Sequence, residues 1–406
     1  MKLNSTIAAI VLGLGTASVA SATNYIYFTG STAARAAVFN ALSSGVGFDG
    51  HTAPSVIVTY SSSTPANCSY MEFVGTIGGV QTIVKCSWSG SEAGITDVSG
   101  SGTRNFLADP GTGGVLANGN SSSTPTGAQL VASTVNLAMA DNSITYSQTP
   151  GSTAVQQGPA VVIPFVFVKN YTSGINTSGF TNITSDQFRT LAAGATDLAL
   201  FTGSNPTTGY NVYLTGRDNQ SGTRANTFGL TGFGINKNPN QVILTPSGTT
   251  APVTASLNYT GTTNAATIYT ASGQSSGGTL AKSLGDTTAA FDWLNPVGDG
   301  TYYQGFVVVT YLGLADAATA EGAPYNAIQL SYNGVSFSTN SVQNGTYAVW
   351  GNEYVLSKSG SPSNVTGLQS ALANTTTGIA AHTSGAEIPM AAMLVKRSGP
   401  TSSPTY

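Results

Sequence analysis

The order of apolar and polar positions along the chain predicts strands and helices in alternation. Two nearly continuous apolar runs, residues 161–168 and 306–312, are typical of strands buried on both faces. Residues 25–28 predict a short aromatic strand, and the helix-favouring segment 33–42 follows it, with Ser31 or Thr32 as N-cap. Strands that alternate with helices over this length indicate an α/β architecture in two lobes.

Turn and low-complexity segments interrupt this pattern. Residues 99–130 are rich in Gly, Ser, Thr and Asn, and they predict a long loop or an insertion. Residues 236–285 have the same composition and form a second low-complexity insertion, with a strand-like alternation around Ile268-Tyr269. Strand-forming residues flank the pair Gly78-Gly79, which predicts a hairpin over residues 69–87. This hairpin would bring Cys68 and Cys86 opposite each other, and an oxidising compartment would join them in a disulfide.

The first 22 residues have the features of a signal peptide. Lys2 supplies a positive charge, residues 7–14 form an apolar segment, and Ala20-Ser21-Ala22 is a small-residue cleavage site. We therefore expect a mature chain that starts near Thr23 and is periplasmic or secreted. No cysteine lies near the cleavage site, so we expect no lipid anchor, and no other segment approaches the ~20 apolar residues of a membrane span.

Charge is scarce along the whole chain. Asp, Glu, Lys and Arg make up 7% of the residues, against about 25% in ordinary proteins, and the net charge is −3. This charge provides no field that would attract nucleic acid or an acidic membrane. An anionic ligand would therefore have to be held by a few well-placed donors in a pocket.

Composition also argues against catalysis and metal binding. The two histidines and two cysteines are far apart in sequence and do not have the spacing of a standard zinc site. A Gly-x-Ser-x-Gly turn with a histidine partner, which a serine hydrolase would need, is not found. We expect no enzyme activity, no catalytic residues, no metal and no cofactor.

The segment Arg217-Asp-Asn-Gln-Ser-Gly-Thr223 combines the groups that hold a tetrahedral oxyanion. Arg217 offers a planar set of donors that matches two oxygens of phosphate or sulfate. Ser221 and Thr223 add hydroxyls, Gly222 permits close approach of the backbone, and a predicted helix begins there with its positive dipole end. The alternative interpretation is an ordinary helix N-cap in a chain full of Ser, Gly and Thr.

Several further segments, taken in order along residues 24–356, carry a family resemblance. They include Gly30-Ser31-Thr32-Ala33, the turn 87–94, Ala140-Asp141, the strand 161–170, the motif 217–223, and the late segment around Asn344-Gly345-Thr346-Tyr347. In this order they resemble the phosphate-binding (PstS-like) members of the periplasmic solute-binding proteins, in the type 2 periplasmic binding protein superfamily.

The resemblance implies a two-lobed α/β fold with a two-stranded hinge, here carrying low-complexity insertions. Lobe I would comprise residues 23–168 and 311–406, and lobe II residues 169–310. It also implies a non-enzymatic solute-binding protein that clamps inorganic phosphate or a similar oxyanion between the lobes. Such proteins deliver their ligand to an ABC importer.

The resemblance assigns the ligand-binding residues by position. They are Thr32, Ala33, Ser91, Asp141, Arg217, Asn219, Ser221, Gly222 and Thr223. Ser89 is an alternative to Ser91. Two residues depart from the family pattern: Asn219 replaces an Asp that pairs with the arginine or the ligand, and Ala33 replaces an aromatic residue.

The identity of the ligand is open at this stage. Asp141 would accept a hydrogen bond from a P–OH group, and it would reject sulfate, which carries no such proton at neutral pH. A different class of function is a structural or adhesive surface protein on the same scaffold, without a ligand. The set of polar residues from Thr32 to Thr223 favours the ligand-binding interpretation.

Overall fold

The structure is a computed structural model, and it describes residues 23–100, 102–149, 151–203, 209–248, 253–257, 273–292 and 303–406. The predicted signal peptide, residues 1–22, lies outside the described residues. Within them, no helix has the length and apolar character that a membrane span requires.

The described residues form strands and helices throughout. The first strands are β1 (Asn24–Gly30), β2 (Val56–Tyr60), β3 (Tyr70–Ile77), β4 (Val80–Ser87), β5 (Thr103–Leu107), β6 (Gly119–Ser121), β7 (Leu130–Thr134), β8 (Leu137–Ala140), β9 (Val155–Lys169) and β10 (Asn182–Ile183). The remaining strands are β11 (Thr196–Asp197), β12 (Asn211–Leu214), β13 (Leu244–Ser247), β14 (Thr254–Leu257), β15 (Phe291–Asp292), β16 (Tyr303–Gln304), β17 (Val307–Gly313), β18 (Ile328–Tyr332), β19 (Trp350–Ser357) and β20 (Ile388–Pro389). The helices are α1 (Arg35–Ser43), α2 (Ser91–Ser99), α3 (Ser185–Ala193), α4 (Ala199–Thr202), α5 (Gly222–Leu230), α6 (Gly277–Ser283), α7 (Leu314–Glu321), α8 (Thr339–Gln343) and α9 (Ser363–Ala373).

The long strand β9 is shared by two groups of strands. Its first part, up to Pro164, pairs with β19 and β20, and its second part, from Phe165, pairs with β17 and β18. The strands β8, β1, β4, β3, β2 and β6 continue the first group beyond β19, and β12 and β11 continue the second beyond β17. We call these groups, with their helices, the first and the second lobe. The predicted α/β class, with a mixed sheet, is confirmed.

Both crossings between the lobes can be located in the chain. The first is β9 itself, where the strand partners change at Phe165. The second runs from the end of β18 to the start of β19 and contains α8. The boundaries predicted from the sequence, 168/169 and 310/311, stay a prediction. The partners of β9 change at Phe165, close to the predicted boundary 168/169. The strand β18 lies beyond the predicted boundary 310/311 in the chain, and yet it still pairs with the second part of β9.

The N-cap predicted for the first helix is wrong. The N-cap of α1 is Ala34, and no side chain caps this helix. Ser31, one of the two predicted caps, instead donates from Oγ to Glu353 Oε2 across the lobe (3.1 Å). A hydroxyl engaged by a distant carboxylate cannot cap its own helix, so the α1 N-terminus keeps its free N–H groups.

The predicted disulfide is also wrong. The hairpin forms, but its pairing runs from Ile77↔Val80 and places Cys86 opposite Met71, whereas Cys68 lies ahead of the first residue of β3. Both cysteines are buried and free. The Cys68 thiol instead contacts Asn120 Oδ1 at 3.2 Å. The pairing of Ile77 with Val80 sets the register of the hairpin, and in this register the residue opposite Cys86 is Met71, three positions beyond Cys68.

The two low-complexity segments are more regular than predicted. Residues 99–130 contain β5, which pairs with β7, and β6, which extends the first lobe's sheet beside β2. The described part of residues 236–285 contains the antiparallel pair β13 and β14 and the helix α6, whereas the predicted strand-like segment around Ile268-Tyr269 lies outside the described residues. The loop prediction for residues 99–130 is wrong for β5 and β6, because Gly- and Ser-rich composition does not prevent backbone pairing between strands.

Candidate functional site

A cleft lies between the two lobes, and the starts of several helices line it. The first lobe contributes the start of α1, and the second lobe contributes the loop before α5, the start of α6 and the first turn of α7. The cleft holds a cavity of about 700 Å³ and an adjoining one of about 340 Å³. Thr32, Arg35 and Asp316 lie on the walls of both cavities.

At the closed contact between the lobes, which lines neither cavity and which we call the inner end of the cleft, Asp141 meets the start of α5. Its Oδ1 accepts a hydrogen bond from Ser91 Oγ at 2.7 Å, and its Oδ2 accepts one from Thr223 Oγ1 at 3.5 Å. A β-carbon on Gly222 would overlap Asp141 Oδ1 and lie 2.6 Å from Ser91 Oγ. The structure therefore brings Ser91, Asp141, Gly222 and Thr223 together, and Gly222 has to be a glycine for the lobes to approach this closely.

Burial disfavours the charged form of Asp141. Desolvation raises its pKa to about 6, against the hydrogen bond from Ser91 and the positive charge of Arg217, which lower it. Glu353, which accepts from Ser31, also has a pKa well above its usual value, because of burial and the nearby Asp141 carboxylate. Two buried carboxyl groups thus lie close together at the inner end of the cleft, and ionisation of Asp141 makes ionisation of Glu353 less favourable.

Arg217 is buried beside this group, with 2% of its surface exposed. Its Nε donates to the Gln274 carbonyl at 3.1 Å, and its Nη2 donates to the Ser275 carbonyl at 3.0 Å. Its Nη1 points toward the start of α6, since a β-carbon on Gly277 would lie 3.4 Å from it and would overlap Asp316 Oδ2. These carbonyls fix the guanidinium beside the start of α6, and Arg217 itself lines neither cavity.

The segment 217–223 was open to two interpretations, an oxyanion site and an ordinary helix N-cap, and its geometry is compatible with both. Ser221 is the N-cap of α5 and accepts from the Arg224 backbone N–H at 3.2 Å, as the plain N-cap interpretation requires. At the same time, the start of this helix faces Asp141 across the cleft. Asn219, by contrast, is exposed to solvent and does not join the other predicted site residues.

Backbone contacts connect the lobes beside the motif. The Gln220 carbonyl accepts from the backbone N–H groups of Glu92 and Ala93, at 3.1 and 3.4 Å, at the start of α2. Asn226 of α5 donates from Nδ2 to the Asp141 backbone carbonyl at 2.8 Å. The second lobe is thus hydrogen-bonded to the first lobe around the Asp141 group, which makes this a closed arrangement.

The other predicted residues lie on the cavity walls. Thr32 lines both cavities, and Ala33 lines the smaller one. Ser89, the alternative to Ser91, lines the larger cavity and shares a hydrogen bond with Thr29 Oγ1 at 2.9 Å. Ser91 and Ser89 therefore occupy different parts of the cleft, the first at its inner end and the second on the wall of the cavity.

Arg35 and Asp316 are cavity-lining residues that sequence reasoning missed. Arg35 Nε is buried without a hydrogen-bond partner, and the guanidinium forms no ion pair or hydrogen bond with a described residue. Burial lowers the pKa of Arg35, and the Asp316 carboxylate raises it. The signal was present in the sequence: an arginine in the first turn of a helix, at the positive end of its dipole, is unfavourable unless an anion binds there.

Comparison with known proteins gives matches among solved structures only. No protein-family model and no curated protein matches the chain. A protein assigned as a phosphate ABC transporter substrate-binding protein, solved with bound phosphate from Clostridium perfringens, is 10% identical, with 86% of this chain and 93% of that chain covered and a TM-score of 0.44.

Two further solved structures are similar at the same level. An ABC-type phosphate transport receptor from Vibrio cholerae is 14% identical over 57% of this chain and 71% of its own, with a TM-score of 0.32. PstS from Borrelia burgdorferi is 12% identical over 87% of this chain and 94% of its own, with a TM-score of 0.36. None of the three is described as an enzyme.

Proposed function

We propose that this protein is an extracytoplasmic solute-binding protein that clamps a tetrahedral oxyanion between its two lobes, with phosphate as the preferred ligand. The observation that carries the proposal is that two guanidinium groups flank the interlobe cleft: Arg35 lines both cavities, and the buried Arg217 lies behind the start of α6, whose first residues line the larger cavity. In a chain with 13 Lys and Arg residues in total, two such groups beside the starts of α1 and α5 point to a bound anion.

The binding step follows from the free donors of the cleft. Arg217 uses Nε and Nη2 to hold its own position, which leaves Nη1 for the ligand, and Arg35 is free of described partners. The N–H groups at the start of α1 and the hydroxyl of Thr32 complete the first lobe's contribution. Charge-assisted hydrogen bonds of about 1.5–3 kcal/mol each can outweigh an association cost of roughly 4–15 kcal/mol.

Asp141 would distinguish phosphate from sulfate. With a pKa of about 6, its carboxyl is mostly ionised at pH 7.5 and can accept a hydrogen bond from a P–OH group of phosphate. In the closed arrangement Asp141 contacts Ser91 and Gly222 directly, so a ligand reaches this carboxylate only when the lobes have moved apart. Closure around the ligand then excludes water and strengthens each charged contact.

Export and transport complete the proposal. A cleaved signal peptide would place the protein outside the cytoplasm, and an ABC importer would receive the bound anion from it. The alternative is a structural or adhesive protein without a ligand. Its supporting observation is that the Asp141 carboxylate can itself occupy the start of α5, where a ligand anion would otherwise lie.

The deciding experiment is isothermal titration of the purified, anion-free protein with phosphate and then with sulfate. We expect micromolar phosphate binding and no sulfate binding, and an Arg217→Ala variant should lose at least a hundredfold in phosphate affinity. Arg189→Ala, which alters a half-exposed arginine in α3, is the matched control. Binding of both anions would support the site but contradict the role of Asp141 in recognising the proton of phosphate. If neither anion binds, the ligand-free alternative is favoured.

A further inference from the structure

We propose that the C-terminal segment 394–405 is a strap that fastens the second-lobe helix α5 to the first lobe and so holds the lobes closed when no ligand is bound. We call this segment the C-terminal strap. The inference goes beyond the proposed function, because it concerns the resting position of the lobes and does not depend on the ligand. Three groups of contacts carry it: those within the strap, those with the second crossing and β19, and those with α5.

The C-terminal strap is a closed loop. Its two ends pair in antiparallel fashion: the backbone N–H of Lys396 donates to the Thr405 carbonyl, and the N–H of Thr405 donates to the Lys396 carbonyl, both at 2.8 Å. Within the loop, the Ser402 N–H donates to the Gly399 carbonyl at 3.2 Å, and Ser402 Oγ accepts from the Gly399 N–H at 2.9 Å. A loop whose conformation is already fixed loses little further entropy when it holds another element, so it can act as a firm connector.

The second crossing and the first lobe anchor this loop. The Leu394 N–H donates to the Gln343 carbonyl at the end of α8, at 2.9 Å. Arg397 Nη2 donates to the carbonyl of Ala348, just before β19. The Arg397 guanidinium also stacks on Trp350, the first residue of β19, with its Cζ 4.0 Å from the ring centroid. Because Trp350 is buried in the core, this stacking fixes the strap relative to the first lobe.

The C-terminal strap also contacts α5, in the second lobe. A β-carbon on Gly229, the last residue but one of α5, would lie 2.8 Å from Thr401 Cγ2 and would overlap the Tyr146 hydroxyl. The Gly229 backbone therefore packs directly against Thr401 of the strap and against Tyr146, which lies between β8 and β9 of the first lobe. A glycine at this position permits a contact that is too close for any side chain.

These contacts hold α5 at a second point along its length. Its first residue, Gly222, meets Asp141 at the inner end of the cleft, and Gly229 lies about 10 Å further along the helix axis. Strap residues 397–400 line a small cavity of about 220 Å³ together with Asp141 and with Asn226 of α5. A helix that is held at two separate points cannot swing away from one without disturbing the other. The strap should therefore keep Gly222 against Asp141 and shift the equilibrium toward the closed arrangement.

The first measurement is small-angle X-ray scattering of the purified, anion-free protein. A chain that ends at Val395 lacks the loop of the strap, and Arg397→Ala removes the stacking on Trp350 and the hydrogen bond to the crossing. We expect both variants to have a larger radius of gyration, and the truncated chain should reach at least half of the increase shown by Gly222→Ala, whose β-carbon would overlap Asp141. Arg189→Ala in α3 is the matched control and should leave the radius unchanged.

Hydrogen exchange then distinguishes separated lobes from a loosened tail. The backbone N–H groups of Glu92 and Ala93 donate across the lobes to the Gln220 carbonyl, so their exchange reports on the contact between the lobes. We expect it to be at least tenfold faster in both strap variants and unchanged in Arg189→Ala. Unchanged exchange in a variant that keeps its far-UV circular dichroism would overturn the inference, and Arg397→Ala decides if the truncated chain does not fold. Because no ligand is present in either measurement, that outcome would leave the proposed anion binding intact.

Discussion

At the scale of single residues, Arg35 carries a charge that its own helix does not stabilise. We expect Arg35→Gln to leave the stability of the ligand-free protein unchanged or to raise it by about 0.3–1 kcal/mol, because the variant removes a cation from a helix N-terminus. The same change should weaken phosphate binding at least tenfold. Urea unfolding and isothermal titration measure the two effects, with Arg189→Gln as control. A stability loss without an affinity loss would assign Arg35 a structural role instead.

Asp141 makes stability depend on pH in a defined direction. Because its folded pKa of about 6 lies above the unfolded value of about 3.9, the folded state binds more protons between these values, and stability falls as pH rises through this window. Asp141→Asn removes this penalty, so it should raise the free energy of unfolding at pH 7.5 by up to about 3 kcal/mol.

This pH effect can be tested against its own low-pH limit. At pH 4 and below, Asp141 is mostly neutral in the folded state, so Asp141→Asn should change the urea midpoint far less there than at pH 7.5. In the same variant phosphate affinity should fall, because the amide cannot accept the ligand proton as a carboxylate does. An equal stabilisation at both pH values would show that packing, not ionisation, is responsible.

Gly222 is the residue on which lobe closure depends most directly. A methyl group there would overlap the Asp141 carboxylate, so Gly222→Ala should hold the lobes of the ligand-free protein apart, and small-angle X-ray scattering should show a larger radius of gyration. The matched control is Gly367→Ala in α9, where nothing lies within 4 Å of the new methyl group. That control should bind normally and gain about 0.5–1 kcal/mol in urea unfolding, because alanine favours the helix. An unchanged radius of gyration for Gly222→Ala would contradict the closed arrangement.

At the scale of elements, the β3–β4 hairpin holds two thiols that do not meet. We expect reducing agent to leave the urea midpoint unchanged, and a thiol reagent to detect two free cysteines once the chain is unfolded without reductant. In the folded protein both should react slowly, because both side chains are buried. One disulfide in the non-reduced protein would show that the register of this hairpin differs from Cys86↔Met71.

Elements were predictable where the signal was local. The run 306–312 becomes β17, and the start of α5 follows the Ser-Gly-Thr turn, because apolar periodicity and capping act over a few residues. The N-cap of α1 was not predictable, since Ser31 is engaged by Glu353 from a strand far along the chain. The hairpin register also failed, because it depends on which turn geometry Gly78-Gly79 adopts.

The composition of the site was predictable only in part. Asp141 and Gly222 were proposed from motif order, and they do meet in the cleft. Arg35 in α1 and Asp316 in α7 share no motif, and their common cavity exists only because the two lobes face each other. Such a grouping depends on tertiary packing, which apolar periodicity and turn signals do not encode.

At the scale of the whole molecule, ligand binding and stability should be linked. A ligand at a hundred times its dissociation constant adds about 2.7 kcal/mol to the free energy of unfolding, if it binds only the folded state. We expect phosphate to raise the urea midpoint accordingly and sulfate to leave it unchanged in the same buffer. A midpoint that responds equally to both salts would indicate a general salt effect instead of occupation of the cleft.

The position of β19 also has a consequence for how this chain reaches its folded state. This late strand lies between β8 and β9 and hydrogen-bonds to both, so the first lobe's sheet remains in two pieces until residues 350–357 are available. Contacts between residues so distant in sequence form slowly, because a long loop must close first. A polypeptide that crosses a membrane N-terminus first would therefore stay largely unfolded during its passage, and its folding would finish only after nearly all of it had emerged.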